Sequence, residues 1–165
     1  MNARTKRYDG DTGGRNSGGS IRVCVLYGQI RDWRRAWLLL DRLHSATDVT
    51  FNTEWFSFPE LPVLATKAGA TAAASELVLV SASKITEIPK AVSELLDTVK
   101  AQPVELPGAV IGLFVDSTVC GANCPWEDAL HRAAWSSRRD LFIHSTDPDT
   151  KPRRPLQLLR ENPRN

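Results

Sequence analysis

Three stretches of this chain are apolar at almost every position, and each runs into polar residues and then into a segment with helical periodicity. They are Ile21-Arg22-Val23-Cys24-Val25-Leu26-Tyr27, Leu77-Val78-Leu79-Val80 and Ala109-Val110-Ile111-Gly112-Leu113-Phe114-Val115. A strand that is apolar on both faces has to be covered on both faces, as parallel strands are in a helix-wrapped sheet. The stretch from Val49 to Phe58 follows another rule. Val49, Phe51, Thr53 and Trp55 fall on one side and Thr50, Asn52 and Glu54 on the other, the half-polar alternation of an edge strand. A short run, Leu141-Phe142-Ile143-His144, predicts a fifth strand.

Helical spacing fills the intervals. Asp32 caps a helix with Trp33, Ala36, Trp37, Leu40 and Leu43 on one face and Arg34, Arg35, Asp41 and Arg42 on the other. After the break Pro59-Glu60-Leu61-Pro62, residues Val63 to Glu76 read as an alanine-rich helix with Leu64, Ala65, Ala68 and Ala72 inward. Pro89 opens a third helix, to about Ala101, that aligns Val92, Leu95, Leu96 and Val99. Pro125 opens a fourth, with Trp126, Leu130, Ala133, Ala134 and Ser137. Strands alternating with helices predict an α/β fold, a three-layer, doubly wound, five-stranded parallel sheet. With the second strand at an edge, its order is 2-1-3-4-5 and the fifth strand is the other edge. A final helix has little sequence to form from: only Leu156 to Glu161 suits one or two turns, so it is expected to be short or absent.

Composition adds boundaries to this picture. The chain has 165 residues and a formal charge of +2, enough for one domain with a sizeable core. Residues 1–20 hold five of the ten glycines and almost no apolar side chains, and are expected to form a disordered N-terminal tail. Residues 21–146 form the single α/β domain, and residues 147–165 form a basic, proline-rich C-terminal tail. Each tail carries a net charge of +2, whereas the 21–146 segment, with twelve basic and fourteen acidic residues, carries −2. Nucleic acid is therefore expected to bind weakly at most, through the tails. The basic start of the chain has no apolar stretch after it, and no run of about 18 apolar residues is present to span a membrane. Three cysteines are too few for a disulfide framework, so the expected setting is the cytoplasm.

In a doubly wound sheet, ligands bind at the carboxyl ends of the strands. These ends supply Tyr27-Gly28-Gln29, Ser81-Ala82-Ser83-Lys84, Asp116-Ser117-Thr118 and His144-Ser145-Thr146. From them Ser81, Ser83, Lys84, Asp116, Ser117 and Thr118 form a candidate site for a small anionic ligand such as a nucleotide or flavin. Cys120-Gly121-Ala122-Asn123-Cys124-Pro125 is a local oddity. Cys124 would stand at the start of the fourth helix, where a thiolate is favoured, with Cys120 near enough to resolve it as a disulfide. Cys24 reads as a core residue and His44 as a cation at a helix end. His131 reads as a surface residue, and Trp33, Trp37, Trp126 and Trp135 as core or interface.

Over residues 21–146 the topology resembles two families. Flavodoxins hold the flavin phosphate in a hydroxyl-rich loop after the first strand; the matching loop here is Gly28-Gln29-Ile30-Arg31-Asp32, without Ser or Thr and with an aspartate where phosphate would sit. Response-regulator receivers carry an acidic pair after the first strand, an aspartate after the third, Ser or Thr after the fourth and Lys after the fifth. Here these places hold Tyr27-Gly28, Ser81 and Ser83, Ser117 or Thr118, and His144, so the resemblance implies a receiver-like domain without phosphoryl chemistry. Trp55-Phe56-Ser57-Phe58 and Ile88-Pro89-Lys90-Ala91-Val92 are also similar to segments of bacterial domains that carry no assigned activity. The expectation is a non-catalytic domain with no resident cofactor. It would act through a protein partner or as a homodimer, using the flank left bare by the missing last helix. Ligand binding at the strand ends is the alternative.

Overall fold

The structure, a computed structural model, describes residues 19–83, 87–101, 108–115 and 125–146. In chain order these form β1 (Ser20–Tyr27), α1 (Ile30–Thr47), β2 (Thr50–Ser57), a 3-10 turn (Phe58–Glu60), α2 (Leu61–Ala74), β3 (Leu77–Ser83), α3 (Lys90–Ala101), β4 (Ala109–Val115), α4 (Pro125–Ser137) and β5 (Asp140–Thr146). All neighbouring strands pair parallel in the order β2-β1-β3-β4-β5. The doubly wound sheet and its strand order are as the apolar runs predict.

Alternation along the central strands divides the interior in two. Val78, Val80 and Ala82 of β3 join Phe56, Ala68, Ala72, Val92, Leu96, Trp126 and Leu130, so α2, α3 and α4 all cover one face. Leu77 and Leu79 join Val23, Val25, Ala36, Leu40 and Leu113 on the other face, where the only described helix is α1. Burial of a Leu or Val side chain contributes about 1.5–3 kcal/mol, which explains why these runs dominate the chain's pattern. Gly112 lets α4 approach: a Cβ there would come within 2.6 Å of Phe114 and 2.7 Å of Leu130.

Local chemistry moves several element ends. Asp32 does cap α1, but from the third helical position rather than from the cap itself, which is Gln29. Pro62 falls inside the first turn of α2, where no donor is required, so the helix starts at Leu61 rather than Val63. Ala65 is exposed instead of inward, its place taken by Leu61 and Gly69. Pro89 stands just before α3, its carbonyl accepting from the N–H groups of Val92 and Ser93. β5 begins one residue earlier and runs two residues longer than its apolar core suggests. No described helix is long and apolar enough to cross a membrane.

One long-range contact fastens the amino-terminal edge of the sheet. Arg139, 5% exposed just ahead of β5, donates from Nη2 to the carbonyls of Ala72 (3.3 Å), Ala73 (3.4 Å) and Ser75 (2.8 Å). It thereby satisfies the last turn of α2, and its positive charge suits a helix C-terminus. Burial lowers its pKa. On the rim beside it, Arg22 pairs with Glu76 at 3.1 Å.

Candidate functional site

The register sets which residues meet at the carboxyl ends of the strands. Ser57, Tyr27, Ser81, Leu113 and His144 occupy one row across the sheet, from β2 to β5. One row below lie Trp55, Val25, Leu79, Ile111 and Phe142. Because Val25, Leu79 and Ile111 belong to the interior beneath α1, both rows face that side. Tyr27 meets Trp55 edge to face at 6.5 Å, and Trp33 of α1 leans on Trp55 at 5.7 Å. An aromatic cluster thus covers β1 and β2 and stops at β3.

At β3 the packing is polar and incomplete. Ser81 is fully buried and Ser83 3% exposed, yet neither Oγ has a hydrogen-bond partner among the described residues. A buried hydroxyl without a partner costs roughly 1–3 kcal/mol, so two of them two residues apart on one strand form an unusual feature of a core. The Ser81 carbonyl is engaged, accepting from the N–H of Gly28 at 3.1 Å and tying the loop after β1 to β3. The two hydroxyls stand where the chain reverses direction across the sheet, between β1 and β3, the usual place for a ligand in such folds. Ser81 and Ser83 are the members of the sequence-derived site that the structure brings together. Lys84, Asp116, Ser117 and Thr118 lie outside the described residues, as do Cys120 and Cys124.

The N-terminus of α1 is satisfied from within the chain. Gln29 N–H donates to Asp32 Oδ2 at 2.9 Å, and Arg35 Nη1 lies 3.2 Å from Asp32 Oδ1; the carboxylate is fully buried. It supplies the negative charge that a helix N-terminus favours. A phosphate in the same place would meet a like charge, so these residues do not fit the phosphate of a flavin held in the loop after β1. Arg31 is occupied with its neighbour, its Nε donating to Gln29 Oε1 at 3.0 Å.

Farther along the sheet no described helix covers the α1 face. Ile111 is half-buried and Phe142 of the edge strand is 47% exposed, with no described helix above them. On the opposite face Ile143 is 38% exposed. Asp140 and His144 flank Phe142 on its own side of the strand, and both are exposed.

Other candidates resolve into ordinary roles. Cys24 lies in the core, and burial, reinforced by Glu54, pushes its thiol up to about 12. His44 Nδ1 sits 2.8 Å from the Val49 carbonyl, bracing the turn after α1, and His131 is exposed on α4. Trp126 is core, stacked on Phe58 at 5.9 Å, whereas Trp37 and Trp135 are 45% and 87% exposed. A shallow groove beside α2 and α3 is lined by Gly69, Ala70, Ala73, Ala74 and Thr98, without an ionisable group. No cluster of three His, Cys, Asp or Glu residues suited to a metal ion occurs among the described residues. Sequence reading missed the Tyr27–Trp33–Trp55 cluster. The signal was present, since Tyr27 ends an apolar strand and Trp55 alternates inward on the next.

No family model and no curated protein matches this chain. Among solved structures it is similar to a flavodoxin of Streptococcus pneumonia TIGR4, with a TM-score of 0.56 and 12% sequence identity, over 81% of this chain and 88% of that one. At that identity the likeness is one of fold: five parallel strands in the order 2-1-3-4-5 with flanking helices.

Proposed function

We propose that this chain is a bacterial-type, cytoplasmic interaction domain that binds protein through the β4–β5 flank of its sheet and performs no catalysis of its own. The observation behind this reading is the apolar strip of Ile111 and Phe142 on the α1 side, above which no described helix lies. Exposed apolar surface on an otherwise well-packed sheet is unfavourable in water and is characteristic of binding faces. The strand ends agree with a non-catalytic role. Where a receiver would carry its phosphoryl-accepting aspartate, β3 ends in two serines, and the α1 N-terminus is already capped by Asp32.

The test is site-specific photocrosslinking in cells that express the full chain, with benzoylphenylalanine in place of Phe142 or, as a control, of the 87% exposed Val63 on α2. Adducts of higher mass are expected from position 142 and not from 63. A chain that yields none from position 142 is not an interaction domain of this kind.

A second reading, a small-ligand protein, is favoured by the unpartnered hydroxyls of Ser81 and Ser83. A ligand there would supply their missing hydrogen bonds, with Lys84, Asp116, Ser117 and Thr118 as the sequence-derived neighbours. Native mass spectrometry with an absorbance scan of freshly purified protein separates the two readings: a bound nucleotide or a flavin spectrum supports the second, and a colourless chain at its bare mass counts against it.

A further inference from the structure

We infer that the partner at this flank is a second copy of the chain, joined strand to strand through β5, antiparallel, with Phe142 at the two-fold axis. This rests on the interaction reading above and identifies its occupant. The two edges of the sheet are built differently. β2 is blunted by polar groups, with Asn52 and Glu54 exposed and Glu54 paired to Lys67 of α2 at 3.0 Å. β5 carries no proline, no lysine and no bulge, its middle residues Leu141, Phe142 and Ile143 are all apolar, and it pairs with β4 in unbroken register over its whole length.

The apolar residues of β5 also decide what kind of partner fits. Phe142 is exposed on the α1 face and Ile143 on the opposite face. A helix laid on the α1 face would cover Phe142 and leave Ile143 in water. A strand that continues the sheet satisfies the outer backbone groups of β5 and sets an apolar neighbour beside each of these residues, Phe142 beside its own counterpart and Ile143 beside Leu141.

Polar pairing selects the register. Asp140 and His144 stand two residues before and two residues after Phe142, on the same face. Antiparallel pairing of two copies with Phe142 opposite itself sets Asp140 of each copy opposite His144 of the other, and Leu141 opposite Ile143. In a continuous pleated sheet, directly opposed residues must share a face, so the next allowed register differs by two. The two alternatives set Phe142 against His144 or against Asp140 and part the carboxylate from the imidazole. One register therefore matches apolar to apolar and carboxylate to imidazole, and the two-fold operation supplies that polar pair twice.

The experiment is sedimentation equilibrium of the purified full chain from about 1 to 100 µM. A dimer mass is expected for the wild type. His144→Asp sets an acid opposite an acid twice and is expected to weaken the dimer by about tenfold or more. The exchanged variant D140H/H144D carries the same side chains in mirrored positions and is expected to regain wild-type affinity, a rescue that a merely misfolded chain would not show. A monomeric wild type, an unaffected H144D, or a D140H/H144D chain that stays monomeric overturns the pairing. A monomer in solution that still crosslinks from position 142 to a protein of another mass overturns the pairing alone. A monomer that yields no adduct in cells overturns the interaction reading as well.

Discussion

Replacing Ser81 and Ser83 by alanine should make this protein more stable. Both side chains are buried, at 0% and 3% exposure, and neither hydroxyl finds a partner among the described residues. Each therefore forfeits its bond to water on folding without receiving another, a cost of roughly 1–3 kcal/mol. Alanine keeps the Cβ and removes the orphan oxygen, and the lost van der Waals contacts of one atom are worth a few tenths of a kcal/mol. A net gain of about 1 kcal/mol per substitution follows. In a chain of this size that corresponds to a rise in Tm of roughly 2–4 °C each. Thermal unfolding followed by far-UV circular dichroism, with urea titrations to check that the m-value is unchanged, reads the effect directly. Ser137→Ala is the control. That serine is equally buried, but its Oγ donates to the Ala133 carbonyl at 2.6 Å, so its removal should be neutral or slightly destabilising. If Ser81→Ala and Ser83→Ala lower stability while Ser137→Ala does not, the hydroxyls are paired, and the ligand reading built on them falls. A stability gain would mark two positions where serine persists at a cost to the fold, the usual condition of a functional site.

Arg139→Leu should destabilise the fold by about 1–2 kcal/mol, because the carbonyls of Ala72, Ala73 and Ser75 lose a buried cationic donor while the removal of Nε and Nη1, buried without partners among the described residues, offsets part of the loss; urea unfolding measures it. Glu76→Gln should lower stability at neutral pH. Arg22 holds the Glu76 carboxyl below its ordinary range, so the wild-type advantage is full above the unfolded-state value of about 4.3 and disappears as pH falls through the lower folded-state value; paired Tm–pH curves that converge on acidification check the sign. The Cys24 thiol, raised to about 12 by burial, should resist a thiol reagent at pH 8 in the native protein and react once urea unfolds it, as mass spectrometry of the labelled peptide would report.

The layers of this fold are legible in the sequence because its central strands are covered on both sides, and a short unbroken apolar run between turn-forming residues is what such cover demands. The alternation of β2 likewise marks an edge, since one half of its side chains meets water. Helix starts are less legible. Asp32 acts from the third helical position and Pro62 tolerates the first turn of α2, so one capping chemistry is compatible with two starting residues. The state of Ser81 and Ser83 is not a sequence property. Whether a hydroxyl is paired depends on what β1, β4 and α1 bring beside it, and the register that does so is fixed only when the sheet forms. Arg139 is farther still from any local pattern. It acts on carbonyls 64 to 67 residues away, and the sequence around it resembles an ordinary helix end.

That distance bears on the order in which the molecule can be made. A ribosome delivers α2 and β3 well before it delivers residue 139, so the last turn of α2 has to wait, its carbonyls open to water, until the start of β5 arrives. Contacts this distant slow folding and keep local segments from maturing alone. The arginine thus links the completion of α2 to the arrival of β5.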